Sequence, residues 1–234
     1  MGLNTNALAL VLSLCTLFAG TAGEMFADIG PESNLVLINR EHTLTYDYIP
    51  APLTTPGVRA DEGKEDNIQM RPEAAAALEE LFAAADQAKV TLYAVSGYRT
   101  YYEQRTLFDR KAALFGERQA MLTVAPPGTS EHQTGLAMDV NGASTLKDGL
   151  EETFGASPEG QWLYANAHLY GFIIRYPKDK TEITGYAWEP WHIRYVGAEV
   201  AEEVYTLDIT FEEYHGLLQQ ARIDAWAQTG AEEE

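Results

Sequence analysis

Apolar and polar positions along this chain follow two periods. In Val90-Thr91-Leu92-Tyr93-Ala94-Val95 the alternation has period two and Val90, Thr91 and Val95 are β-branched, which predicts a strand ending in a Ser96-Gly97 turn. His192-Ile193-Arg194-Tyr195-Val196 alternates in the same way. Two compact apolar runs, Leu35-Val36-Leu37-Ile38-Asn39 and Phe172-Ile173-Ile174-Arg175-Tyr176, also read as strands, the second stopped by Pro177. Helical spacing takes over at residues 71–89, where Pro72 sits in the first turn and Leu78, Leu81 and Phe82 share a face. Thr100 with Glu103 forms a capping-box signature that opens a helix to about residue 115. Further helices are predicted at residues 117–122, at 159–170 with Gly171 as a stop, at 198–205, and at 211–220 behind a Thr210-x-x-Glu213 box. Residues 50–63 read as loop, residues 141–158 as a surface excursion, and residues 178–186 as a turn-rich hairpin arm. The pattern predicts an α+β fold: a small, mainly antiparallel sheet with helices packed on it.

The N-terminal pattern differs from the rest. Residues 7–19 are apolar except for Ser13 and Thr16, too few to span a bilayer but suited to the core of an export signal, with small residues following at 19–23. No Lys or Arg precedes Arg40, so the basic start of such a signal is missing. The expected organisation is an export signal at residues 1–23, a linker at 24–34, one domain at 35–222 and an acidic tail at 223–234, with no stable transmembrane anchor. The expected location is extracytoplasmic.

Composition narrows the partners. With 46% apolar residues and 13 Tyr among 234, the chain can bury a sizeable core. Its 35 acidic and 16 basic residues give a formal net charge of −19, which argues against nucleic acid or an anionic membrane surface as partner. One cysteine, Cys15, rules out an internal disulfide framework. Nothing in the sequence determines an oligomeric state.

Two short stretches carry the candidate chemistry. Ser130-Glu131-His132-Gln133-Thr134-Gly135-Leu136-Ala137-Met138-Asp139 supplies an imidazole and, seven positions on, a carboxylate inside an apolar run. Glu189-Pro190-Trp191-His192 supplies a second imidazole with a carboxylate three residues before it. His132, Asp139 and His192 make a three-ligand set for one Zn2+ per chain, leaving the fourth position open as a catalytic site requires. An unpaired Asp139 in Leu136-Ala137-Met138-Asp139-Val140 would be costly, and a metal accounts for its burial. Glu189 is then free to serve as general base on a zinc-bound water nucleophile.

These motifs, with Ser96-Gly97-Tyr98-Arg99-Thr100 and Arg175-Tyr176-Pro177, stand in the order and spacing of a family. From about residue 35 to 218 the chain resembles the VanY-type D-alanyl-D-alanine carboxypeptidases, zinc peptidases of the bacterial cell wall in the group that unites lysostaphin, D-Ala-D-Ala peptidases and the Hedgehog-like core. The resemblance implies that core as the fold, and a zinc D,D-carboxypeptidase that removes the terminal D-alanine of peptidoglycan stem peptides. It implies a substrate or transition-state role for Arg99, whose planar guanidinium suits a carboxylate or an oxyanion. Gln104 and Ser130 would line the pocket for the peptide terminus, and Tyr98, Tyr176, Trp188 and Trp191 would form aromatic walls. His42, His168 and His215 match no motif and are read as structural.

The same metal set serves other reactions. An L,D-carboxypeptidase, a D,D-dipeptidase and a phage-type endopeptidase remain open, with residues 141–158 and 178–186 as the loops that would discriminate. A non-catalytic metal-bearing binding domain is the alternative from another class, against which the joint presence of Glu189 and Arg99 counts.

Overall fold

The computed structural model describes residues 29–229; the expected export signal, Cys15 and residues 230–234 lie outside them. Four strands form one antiparallel sheet: β1 (Leu92–Ser96), β2 (Ala137–Gly142), β3 (Phe172–Tyr176) and β4 (Glu189–Tyr195), in spatial order β1-β2-β4-β3. Among the described residues eight α-helices accompany it: α1 (Pro72–Gln87), α2 (Tyr101–Phe115), α3 (Glu117–Thr123), α4 (Thr153–Ala156), α5 (Pro158–Asn166), α6 (Thr181–Thr184), α7 (Ala198–Leu207) and α8 (Phe211–Thr229). None of them is long and apolar enough to cross a membrane.

Strand alternation sorts the side chains into two faces. Met138, Val140, Ile193 and Phe172 belong to the main apolar core, together with Ala74, Leu78, Leu81 and Phe82 of α1, Phe154 of α4 and Leu163 of α5. Their neighbours in sequence, Asp139, His192, Arg194 and Arg175, are buried in the opposite sense of the pleat. Ile173, at the β3 edge, joins a smaller cluster with Val204 of α7 and Phe211 and Tyr214 of α8. The sheet thus has an apolar face that holds the domain together and a face with a buried polar layer.

Local signals explain most boundaries. Thr100 accepts from the Glu103 backbone N–H while the Glu103 carboxylate accepts from the Thr100 N–H, the reciprocal box expected for α2. Thr210 and Glu213 form the same pair at the start of α8. That helix continues past residue 222, the expected domain limit, to Thr229.

Three loop and strand expectations are corrected. Residues 35–39 form no strand, although Val36 and Ile38 are buried. The carbonyls of Asn34 and Val36 accept instead from the Arg194 guanidinium, so a side chain takes the place of a ladder partner. Residues 141–158 are not a simple surface excursion. β2 runs to Gly142, Phe154 is fully buried, and the Glu159 carboxylate ties back to the Ser144 N–H and hydroxyl. The 178–186 arm carries the short helix α6, ended by Gly185 at φ +80°, and leads into a buried Tyr186.

Candidate active site

The sheet register assembles the site. Asp139 of β2 lies directly opposite His192 of β4, and Ser96 of β1 lies on the other side of Asp139. His132 arrives from a 3₁₀ turn, Glu131–Thr134, that is closed by Gly135 in the left-handed region at φ +69°. Its ring is fixed from behind, with Nδ1 2.7 Å from the Gly97 carbonyl oxygen. The Gly97 backbone packs against the segment before α1, where a Cβ would fall 2.5 Å from the Gln69 carbonyl oxygen, so only glycine fits.

His132 Nε2 is 3.3 Å from Asp139 Oδ2, and His192 Nδ1 is 3.0 Å from Asp139 Oδ1. One ligand atom from each of the three residues lies within 4.8 Å of the others, and all three residues are buried. Two neutral-capable imidazoles and one carboxylate converging in this way are the donor set of an open zinc site. Burial works against the Asp139 charge, but His132 and His192 outweigh it and hold the carboxyl well below the usual range. Burial also disfavours the charged His192, yet hydrogen bonding to Asp139 and Glu131 pushes it up to about 9. His132 moves the other way, its burial outweighing Asp139. An acid held ionised between two histidines, one of them strongly basic, is what a divalent cation would replace protons in.

A cavity of about 330 Å³ opens beside these three residues, and Arg99, Gln104, Ser130, Tyr176, Glu189 and Trp191 all line it. Glu189 and His192, three residues apart, would point to opposite faces of a regular strand. The register slips between the pairs Ile174–Ile193 and Tyr176–Glu189, and this irregularity around Pro190 lets both side chains reach the same cavity. Burial pushes the Glu189 carboxyl up to about 8, with His192 pulling it down and Asp139 pushing it further up. Arg99 donates from Nη1 to Gln104 Oε1 at 2.7 Å and from Nη2 to Ser96 Oγ at 2.8 Å. Gln104 is anchored in turn, donating from Nε2 to the Ala125 carbonyl at 2.7 Å. Gln104 therefore stands in the cavity wall as the support of Arg99. The Tyr176 ring stacks obliquely on His192, with centroids 5.0 Å apart. Tyr98 is not among the lining residues.

Sequence reasoning missed a second layer. Glu131 is 1% exposed and accepts from both Arg175 Nε and Arg194 Nη1 at 2.7 Å. Burial opposes its charge, but the two guanidinium groups hold its carboxyl well below the usual range. A signal for this was present: an acid beside His132, an Arg in the apolar run Phe172–Tyr176 and another in the alternating run His192–Val196. Tyr186 also lines the cavity, which its sequence context did not signal, and packs on Tyr176 with centroids 4.6 Å apart.

Comparison with known proteins agrees with this geometry. Residues 67–198 match the family model described as VanY: D-alanyl-D-alanine carboxypeptidase. The putative carboxypeptidase YodJ of Bacillus subtilis (strain 168) is 48% identical over 185 residues, which cover 79% of this chain and 67% of that protein. A D-alanyl-D-alanine carboxypeptidase of Enterococcus faecalis (strain ATCC 700802 / V583) is 38% identical, with 78% of this chain and 66% of that one covered. The chain thus spans about two thirds of the length of these relatives. Among solved structures, the LdcB LD-carboxypeptidase superposes with a TM-score of 0.74 at 47% identity, covering 80% of this chain and 87% of that one. A VanY D,D-pentapeptidase from a VanB-type vancomycin resistance cassette, in complex with Zn(II), gives 0.64 at 37% identity, with coverages of 77% and 98%. The His–Asp–His set fits the zinc ion that this neighbour binds, and the chain belongs to the VanY family of D-alanyl-D-alanine carboxypeptidases, as a metallo-carboxypeptidase.

Proposed function

We propose that the chain is a zinc D,D-carboxypeptidase that hydrolyses the terminal D-Ala-D-Ala bond of peptidoglycan stem peptides. The observation that carries this reading is the single cavity in which the His132–Asp139–His192 set, Glu189 and Arg99 meet. When bound, zinc supplies Lewis acidity to a water and to the scissile carbonyl, and its charge draws the neighbouring Glu189 to its ionised form.

The protein's own groups carry the rest. Glu189 takes a proton from the attacking water at a carboxylate oxygen and passes it to the departing nitrogen. Arg99 has two N–H groups engaged by Gln104 and Ser96, and its remaining donors meet negative charge in the cavity. Because those two contacts hold the guanidinium before substrate arrives, we assign it to the developing oxyanion. Ser130, Tyr176 and Trp191 form the walls that hold the peptide end. Export to the cell envelope, where such a substrate resides, belongs to the same reading.

A second reading is an L,D-carboxypeptidase acting on the shorter stem, favoured by the likeness to LdcB. D-Alanine release from pentapeptide, tetrapeptide and D-Ala-D-Ala dipeptide, with and without a chelator, tests both. Chelator-sensitive release from pentapeptide alone supports the D,D-carboxypeptidase. Release from tetrapeptide alone supports the second reading, and release from none overturns both.

A further inference from the structure

Two glutamates flank His192 in different surroundings. Glu189 lines the cavity, whereas Glu131 lies behind the ring and does not. Both guanidinium groups that neutralise Glu131 converge on Oε1. Oε2 is left to face His192 Nε2 at 3.5 Å, and neither of these buried atoms has a nearer polar partner. A purely structural ion cluster would have no reason to spare one carboxylate oxygen and aim it at an imidazole. The two histidines also turn different atoms toward Asp139: Nε2 of His132 and Nδ1 of His192. For His132 the Gly97 carbonyl fixes the remaining N–H. For His192 the corresponding group is Glu131.

We propose that Glu131 is a positioning residue of the metal centre, holding His192 as the Nε2–H tautomer so that Nδ1 presents its lone pair to the metal. Outer carboxylates of this kind orient a ligand imidazole and raise its basicity. Arg175 and Arg194 hold Glu131 in place. Arg175 also donates to both oxygens of Glu212, at 2.6 and 2.9 Å, so the four charges cancel. Glu212 lies in the first turn of α8, and the last described helix is thereby tied to a metal ligand through Arg175 and Glu131. The inference rests on the zinc reading of the site.

The test is a zinc titration of the full chain against a chromophoric chelator, wild type beside Glu131→Gln, with thermal melting of the metal-free forms. The variant should bind zinc about 10–100-fold more weakly. Affinity within threefold of wild type, even with a lowered Tm, would mean that Glu131 only stabilises the fold and would overturn the inference. Long-range ¹H–¹⁵N NMR of the zinc-loaded wild type needs no variant and decides the matter if Glu131→Gln fails to fold. A proton on His192 Nε2 supports the proposal; a proton on Nδ1 overturns it. Wild-type protein that binds no zinc would instead sink the reading on which the inference stands.

Discussion

Asp139 and His192 are paired residues of adjacent strands, and His192 Nδ1 stands 3.0 Å from Asp139 Oδ1. Two of the three proposed ligands are thus fixed relative to each other by the backbone ladder itself. The third, His132, depends on a turn held by Gly97 and Gly135.

Removing that third ligand should separate metal binding from folding. His132→Ala is expected to lose stoichiometric zinc and all turnover while keeping a cooperative melt, because the apolar core lies on the other face of the sheet. Metal analysis after dialysis, with circular dichroism, checks this. A triple variant of His132, Asp139 and His192 that retained one zinc per chain would remove the assignment.

Glu189→Gln should retain zinc and lose roughly 10²–10⁴-fold in turnover, the usual loss for a positioned general base. Near wild-type kcat in the Gln variant would leave Glu189 as an orienting group only.

Arg99 has two conceivable roles with different kinetic traces. A grip on the substrate carboxylate that is equal in ground and transition states would make Arg99→Ala raise KM alone. A contact with developing oxyanion charge would lower kcat and kcat/KM together, which is the expected outcome. Arg99→Lys should restore activity only in part, since an ammonium cannot keep both the Gln104 and Ser96 contacts and still meet the substrate.

The metal-free protein should lose stability as pH rises from about 6.5 to 9. In that window the folded state holds protons on Glu189, pushed up to about 8, and on His192, pushed up to about 9, that the unfolded chain has released. More protons on the folded state means stability falls as pH increases. The lowered His132, His168 and His215 act below this window and in the opposite sense. Zinc must displace the His192 proton, and below about pH 8 the Glu189 proton as well, so its apparent affinity should rise at least about tenfold per pH unit from 7 to 9. Thermal melts and zinc titrations across this range check both; a pH-independent affinity would contradict a proton held on His192.

Gly97→Ala should destabilise the domain by about 1–3 kcal/mol, because the new methyl would overlap the Gln69 carbonyl and the Ile68 backbone. Displacing Gly97 should also release His132 Nδ1, so urea unfolding and zinc affinity are expected to weaken together.

The sequence by itself determined the local elements and the inventory of chemistry. Period-two alternation located β1 and the second half of β4, a compact apolar run located β3, and the two capping boxes located the starts of α2 and α8, because such signals act within a few residues. The pattern of His132, Asp139, Glu189 and His192 was legible because metal chemistry restricts residue type and spacing. Tertiary structure decided what depends on contacts distant in sequence. Residues 35–39 carry an apolar run but form no strand, since Arg194, about 160 positions away, takes the carbonyls of Val36 and of Asn34 just before the run. Glu131 reads as one acid among 35, and only the convergence of Arg175, Arg194 and His192 on its carboxylate gives it a place. The slip in the β3–β4 register that brings Glu189 and His192 into one cavity is likewise absent from the pattern of either strand alone. A strand's own residues set which side chains alternate; the partner strand and the packing beneath it set where the alternation breaks.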